Sequence, residues 1–228
     1  MDRNSSQAVD TVGTDPNSTA GARLWKTFTA SACALAAGLA LLLHATEEGN
    51  AFTTESLRRT AVMRQPQPIP SLRVTDGDGR VVDLRQALTA PGRVWIVEFV
   101  YTRCTSVCLA LGAVAQQLQA RIIERGLQAQ MGLLSISFDP EHDDAPKLRD
   151  YALRMRMDPE IWRVVSLVSA SDRKQLLEAF GIMVIAAPLG EFEHNAALHI
   201  VNSKGMLVRI LDLDDAGRAL DWALASAP

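Results

Sequence analysis

From Thr27 to Thr46 the chain carries no Lys, Arg, Asp or Glu. Wound as a helix, a stretch of that length is about 30 Å long, the thickness of a bilayer's hydrocarbon core. A helix buried in a water-soluble core would show polar residues along one face, and "TFTASACALAAGLALLLHAT" has no such face. The segment is therefore expected to cross a membrane, and the rest of the chain must build its core without it. Arg23 and Lys26 precede the stretch and Glu47 and Glu48 follow it, so the N-terminus is expected in the cytoplasm. A cleaved signal peptide needs small residues at the last and third-last positions, and "LHA", ending at Ala45, places Leu43 third from last. The reading is an uncleaved, single-pass anchor in a bacterial-type cytoplasmic membrane, with the C-terminal part in the periplasm. Cys33, inside the span, reads as an inert small hydrophobe.

Four regions follow. Residues 1–22, rich in Ser, Thr, Asn, Gly and Asp, read as a disordered cytoplasmic segment. The anchor occupies 23–46 and a tether 47–68, whose "RQPQPIP" favours an extended form. A folded domain takes 69–228. A hydrophobic share of 48% and a charged share of 21% suffice for a packed core. A net charge of −3 without a Lys/Arg cluster argues against nucleic acid as a partner.

Within the domain, "SLRVTDGDGRVVDL" reads as a hairpin around Asp-Gly turn signals. "RVWIVEFVY", 93–101, is a continuous β-branched and aromatic run, as expected of a strand buried on both faces. The pattern then turns helical over about 108–125, with Gly126 as the stop. A strand at "MGLLSISF", a helix around 145–157, a strand at 161–168 and a helix at 171–180 follow. Strands at about 197–202 and 206–211 meet at "NSKG", and "DDAGRALDWALAS" gives a last helix. This order predicts a three-layer α/β sandwich around a central mixed sheet.

"YTRCTSVC" places Cys104 and Cys108 where the first long strand gives way to a helix, at the carboxyl edge of the sheet, where open α/β folds bind ligands. Residues four apart on a helix share a face, so both sulfurs can reach one ion or each other. A helix N-terminus favours thiolate, the form that binds metal and attacks disulfides. Three cysteines in all are too few for a disulfide scaffold, and so short a loop would gain little from a structural bridge. Outside the cytoplasm two neighbouring thiols oxidise unless a metal or a reductant holds them. Spacing alone leaves redox and metal chemistry both open. Of the four histidines, His44 lies at the membrane edge and His142 in the solvated loop "DPEHDD". His194, just before the penultimate strand, is expected on the cysteine edge. His199 is expected inside that strand, on the opposite face by alternation, with a structural role.

Taken together, the anchor, the Pro-containing tether, "YTRCTSVC", "SISFDPEHD" and "EHNAALHIVNSKG" resemble the Sco/SenC family, over roughly residues 65–225. The resemblance implies a thioredoxin-like fold and a copper chaperone serving cytochrome c oxidase assembly, whose Cys-x-x-x-Cys pair and distant histidine hold one copper. It carries Cys104, Cys108 and His194 over as ligands of Cu(I), Cu(II) or both. Gly205, eleven residues after His194, stands at the family's distance and selects His194 over His199. The implied partner is the oxidase subunit that receives copper, with other periplasmic copper chaperones or thiol reductants beside it. Thr105 and Leu109 stand where the family often has proline after each cysteine; Asn195 replaces Ser, and Asn202-Ser203 replaces Asp-Pro. None of these positions is a ligand, so the departures bear on the recipient and leave the copper set intact. A second function class uses the same cysteines. In a thiol–disulfide oxidoreductase Cys104 would attack and Cys108 resolve, and the enzyme would reduce the cysteines of a copper-receiving protein. Two thiolates and an imidazole suit copper, whereas structural zinc and iron–sulfur sites more often take four ligands.

Overall fold

The computed structural model describes residues 16–45, 54–89, 92–104, 107–188 and 191–226. The chain divides into two units, residues 1–53 and residues 54–228. Among its described residues the first contains one helix, α1 (Pro16–Ala45). Its segment Trp25–His44 is long and apolar enough to cross a membrane. The helix starts earlier than composition suggests, because a proline is preorganised for the first helical position.

The second unit begins with α2 (Thr54–Arg64), which lies where composition predicts an extended tether. Local and tertiary pairing both hold it. Glu55 meets Arg58 and Arg59 at 3.3 and 3.1 Å, Arg59 pairs with Asp212, and Val62 is buried. The strands are β1 (Gln67–Pro68), β2 (Arg73–Asp76), β3 (Val81–Asp83), β4 (Val94–Val100), β5 (Met131–Ser137), β6 (Trp162–Leu167), β7 (Val184–Ala186), β8 (Phe192–His194), β9 (Leu198–Val201) and β10 (Met206–Leu211). The remaining helices are α3 (Leu84–Leu88), α4 (Val107–Glu124), α5 (Ala145–Arg154), α6 (Arg173–Phe180) and α7 (Ala216–Ala225).

Eight strands form one mixed sheet in the order β1-β10-β9-β4-β5-β6-β2-β3, and β7 and β8 make a separate antiparallel pair. The central strands β4 and β5 are parallel and buried along their whole length, which is why they read as unbroken apolar runs. Right-handed crossovers through α4 and α5 cover one face. α6 covers the other, where its Phe180 meets Phe99 of β4 edge to face at 4.9 Å. The expected three-layer sandwich is present, and it points the carboxyl ends of β4 and β5 toward the cysteine segment.

The two histidines belong to different strands, so the alternation expected to put them on opposite faces does not apply. His194 ends β8 and pairs with Val184, whereas His199 lies in β9 opposite Val97. Residues 195–197 break the strand between them.

Candidate metal centre

β4 ends at Val100, and the chain turns through Tyr101, Thr102 and Arg103 to Cys104, whose N–H donates to the Tyr101 carbonyl at 3.1 Å. Cys104 is buried. Cys108 occupies the first turn of α4, as its spacing predicts, and its side chain lies outside the described residues. Thr105 and Ser106 also lie outside them.

Aspartates from the loop after β5 hold this turn. Asp143 is buried and accepts three hydrogen bonds: from the Thr102 N–H at 2.9 Å, the Thr102 hydroxyl at 2.6 Å and the Ser137 hydroxyl at 2.5 Å. Asp139, also buried, faces an Arg103 guanidinium nitrogen at 2.9 Å and His142 Nδ1 at 3.0 Å. Burial pushes the Asp139 carboxyl up, but the hydrogen bonds from His142 and Arg103 outweigh it and leave it below the ordinary value. His142, expected to be merely solvated, thus belongs to the network beside Cys104. Sequence reasoning passes over Asp139 and Asp143 because an acidic loop reads as solvated surface. The available signal is Ser137, Asp139 and Asp143 placed just after a buried strand.

The histidine arrives from the β7–β8 pair. The His194 ring packs edge-on against Phe138 at 5.3 Å and Tyr101 at 6.3 Å, and its Nδ1 lies 3.2 Å from the Asn195 carbonyl. Burial lowers its basicity, opposed by the bond to Asn195, so the imidazole is neutral at pH 7 and has a lone pair to give a metal. The Tyr101 hydroxyl donates to the Phe192 carbonyl at 3.1 Å and accepts the Phe192 N–H at 3.2 Å. One tyrosine therefore touches both the cysteine turn and the strand of His194. Among the described residues, which leave out the Cys108 side chain, no three His, Cys, Asp or Glu side chains form a metal-binding group.

His199 is fully buried, with Nδ1 3.3 Å from the Val97 carbonyl and Nε2 3.1 Å from that of Phe180. Burial, aided by the charge of Arg58, pushes it down to about 3. Both ring nitrogens face backbone carbonyls, one of which accepts the neutral ring's single N–H, and the ring is a structural group. Glu98, six residues before Cys104, is also buried. One carboxyl oxygen accepts the Ser135 hydroxyl at 2.6 Å and the other has no partner among the described residues. Burial raises it to about 7 against the pull of Ser135.

The family model described as SCO1/SenC matches residues 66–225. A SCO1/SenC family lipoprotein from Bacillus anthracis superposes with a TM-score of 0.61 at 21% identity, over 71% of this chain and 99% of that one. BsSco, described as having a disulfide switch and as a member of the Sco family of cytochrome c oxidase assembly proteins, gives 0.58 at 21% identity, over 71% and 95%. Arabidopsis thaliana ScoI, solved with copper bound, gives 0.57 at 17% identity, over 68% and 96%. The architecture shared with these structures is the thioredoxin-like fold.

Proposed function

Because this chain belongs to the SCO1/SenC family, we propose that it is a membrane-anchored copper chaperone. In this reading Cys104, Cys108 and His194 hold one copper and pass it to the cytochrome c oxidase subunit that carries a copper site. The supporting observation is Tyr101, whose carbonyl fixes the Cys104 N–H and whose ring and hydroxyl fix the strand of His194. Copper is cargo here. Soft thiolates select Cu(I), a neutral imidazole also accepts Cu(II), and a three-ligand site leaves room for a recipient's ligand to enter. The relative from Arabidopsis thaliana was solved with copper, and BsSco is described as an oxidase assembly protein. The helix α1 anchors the chain, with residues 54–228 in the periplasm.

Copper titration of the full chain tests this. Wild type should bind one equivalent, and Cys104→Ser or Cys108→Ser should abolish tight binding. Full retention in either variant removes the site. Protease added to spheroplasts should digest the C-terminal unit, and protection until lysis reverses the topology.

A second reading rests on the position of Cys108 in the first turn of α4, which favours thiolate. With Cys104 buried, Cys108 would attack a disulfide in the recipient and Cys104 would displace the mixed disulfide, the reverse of the order expected from the sequence. Two electrons then pass to the recipient, its two thiols form, and a Cys104–Cys108 disulfide remains. The disulfide switch described for BsSco supports weighing it. His194→Ala separates the two readings, because copper binding uses an imidazole and disulfide exchange does not.

A further inference from the structure

The amino ends of β4 and β6 lie at the opposite end of these parallel strands from the cysteine turn, and a cavity of about 790 Å³ opens beside them. That volume lies within the usual range for small-molecule sites. Strand register explains its shape. Trp95, Leu134 and Arg163 share one face of the sheet, Trp162 and Val164 the other, and all five line the cavity. β2 pairs with β6 only from Val165 to Leu167, so the cavity wraps the sheet edge where β2 turns away. The Trp95 ring lies across β5 at Gly132, where an added Cβ would meet it at 2.5 Å. The ring is buried, so the apolar surface open to a ligand comes from Val82, Ala152, Leu153 and Met157.

The charges around it are uneven. At the hairpin end Asp76 and Asp78 are matched by Arg80 and Arg149: Arg80 lies 3.1 Å from Asp78, and the Arg149 guanidinium donates to the Gly77 carbonyl at 2.8 Å. At the other end Arg156 and Arg163 line the cavity, and Arg93, outside the lining, shares the Trp95 ring with Arg163 while donating to the Glu160 and Gln128 carbonyls. The guanidinium carbons of Arg93 and Arg163 stand 5.5 and 5.9 Å from the Trp95 ring centre. None of these three arginines has a carboxylate within ion-pair distance among the described residues, and Glu160 is the one acid lining that end. Two lining arginines against one acid, with Arg93 close by, leave a net positive end on an apolar trough.

We propose that this cavity binds an acyl chain bearing an anionic head group, with the chain along Val82, Ala152, Leu153 and Met157 and the head at Arg156 and Arg163. An extended acidic peptide fits less well. β2 already takes the outer edge of β6 from Val165 onward, so a peptide's own N–H and C=O groups would lie over apolar side chains without partners. An acyl chain has no such groups. A free fatty acid and a membrane phospholipid share this chemistry.

The test uses the full chain in phosphatidylcholine nanodiscs carrying one of three photoreactive probes: a diazirine fatty acid, a diazirine phosphatidylglycerol, or the uncharged alcohol of equal length. Mass spectrometry then locates the label. Label from the fatty acid on cavity segments assigns a free acid, and label there from phosphatidylglycerol alone assigns a membrane lipid. Either supports the proposal when the alcohol labels the cavity weakly. Arg156→Gln with Arg163→Gln should lower cavity labelling roughly fivefold, as expected for two partly exposed ionic contacts. Val82→Glu, at the cavity wall, should do the same, and α1 labelling should stay constant in both. Equal labelling by the alcohol, label confined to α1, or no change in the variants overturns the proposal. Cross-linking of the cavity by a photoreactive acidic peptide, with none by either anionic acyl probe, assigns the surface to protein and also overturns it.

Discussion

The Tyr101 hydroxyl and the Phe192 backbone are bonded to each other twice: the hydroxyl donates to the Phe192 carbonyl and accepts the Phe192 N–H. A short strand pair of three residues a side has little packing of its own, so such a clasp decides how firmly His194 is presented. Tyr101→Phe keeps the ring and removes both bonds. The expected loss is about 1–2 kcal/mol, read as faster hydrogen exchange at the Phe192 and His194 amides. Cu(II) affinity should fall and Cu(I) affinity should change less, since thiolates dominate Cu(I) binding. Unchanged exchange at these amides would remove the clasp from the account.

His194→Ala and His199→Ala should differ in kind. Loss of His194 should weaken Cu(II) far more than Cu(I) and leave disulfide exchange intact. Loss of His199 should cost stability through its buried contacts with Phe99 and Phe180 and leave the copper spectrum unchanged. Paired titrations with both oxidation states decide it, and the reverse pattern would exchange the two assignments.

Asp143→Ala leaves the Thr102 N–H and the Ser137 hydroxyl without their acceptor in a buried site. The expected loss is about 2–4 kcal/mol in urea unfolding. The Cys104 turn should loosen as well, seen as faster alkylation of the reduced protein. A variant as stable as wild type would show that the turn is held otherwise.

Two buried groups set opposing pH slopes. Glu98 titrates near 7 in the fold against an ordinary 4.5, so its contribution is complete below 4.5 and is lost as pH rises to 7. His199 titrates near 3 against an ordinary 6.5, so its contribution is complete above 6.5 and is lost as pH falls toward 3. Between 4.5 and 6.5 these two slopes cancel, and the lowered His194 adds a rise with pH just below 6.5, so wild-type stability should change there mainly through His194. Glu98→Gln removes the falling slope, so stability should rise across that window by about 3 kcal/mol. His199→Gln should produce the opposite tilt. Denaturant midpoints at several pH values measure both.

Gly132→Ala places a methyl group 2.5 Å from the Trp95 ring. Displacing a buried indole should cost about 1–3 kcal/mol and shift the tryptophan emission. An unshifted spectrum with wild-type stability would mean that the ring is not seated on that glycine.

Buried strands and amphipathic helices were legible in the sequence because their signals are local. The runs at 94–100 and 131–137 and the helical patterns of α4 to α7 appear where expected. α2 was not legible. Its sequence is polar, and its docking depends on Asp212 and on the Phe180 carbonyl, both far along the chain. The β7–β8 pair was missed for the same reason, since its anchor, Tyr101, lies more than eighty residues away. The proposed site rests on residue types, with the cysteines placed by spacing and His194 by resemblance. The parts supplied by distant contacts, Asp143 above all, were not legible.

The margins of the main sheet bear on how this molecule meets others. One margin is β1, two residues long with a proline that has no N–H to offer, and the other is β3, three residues long. Neither presents a long row of free backbone groups on which a second chain could lengthen the sheet. At high local concentrations, copies of this protein are therefore shielded from zipping together strand by strand. Encounters are left to the loop ends of the sheet, where the reactive residues are.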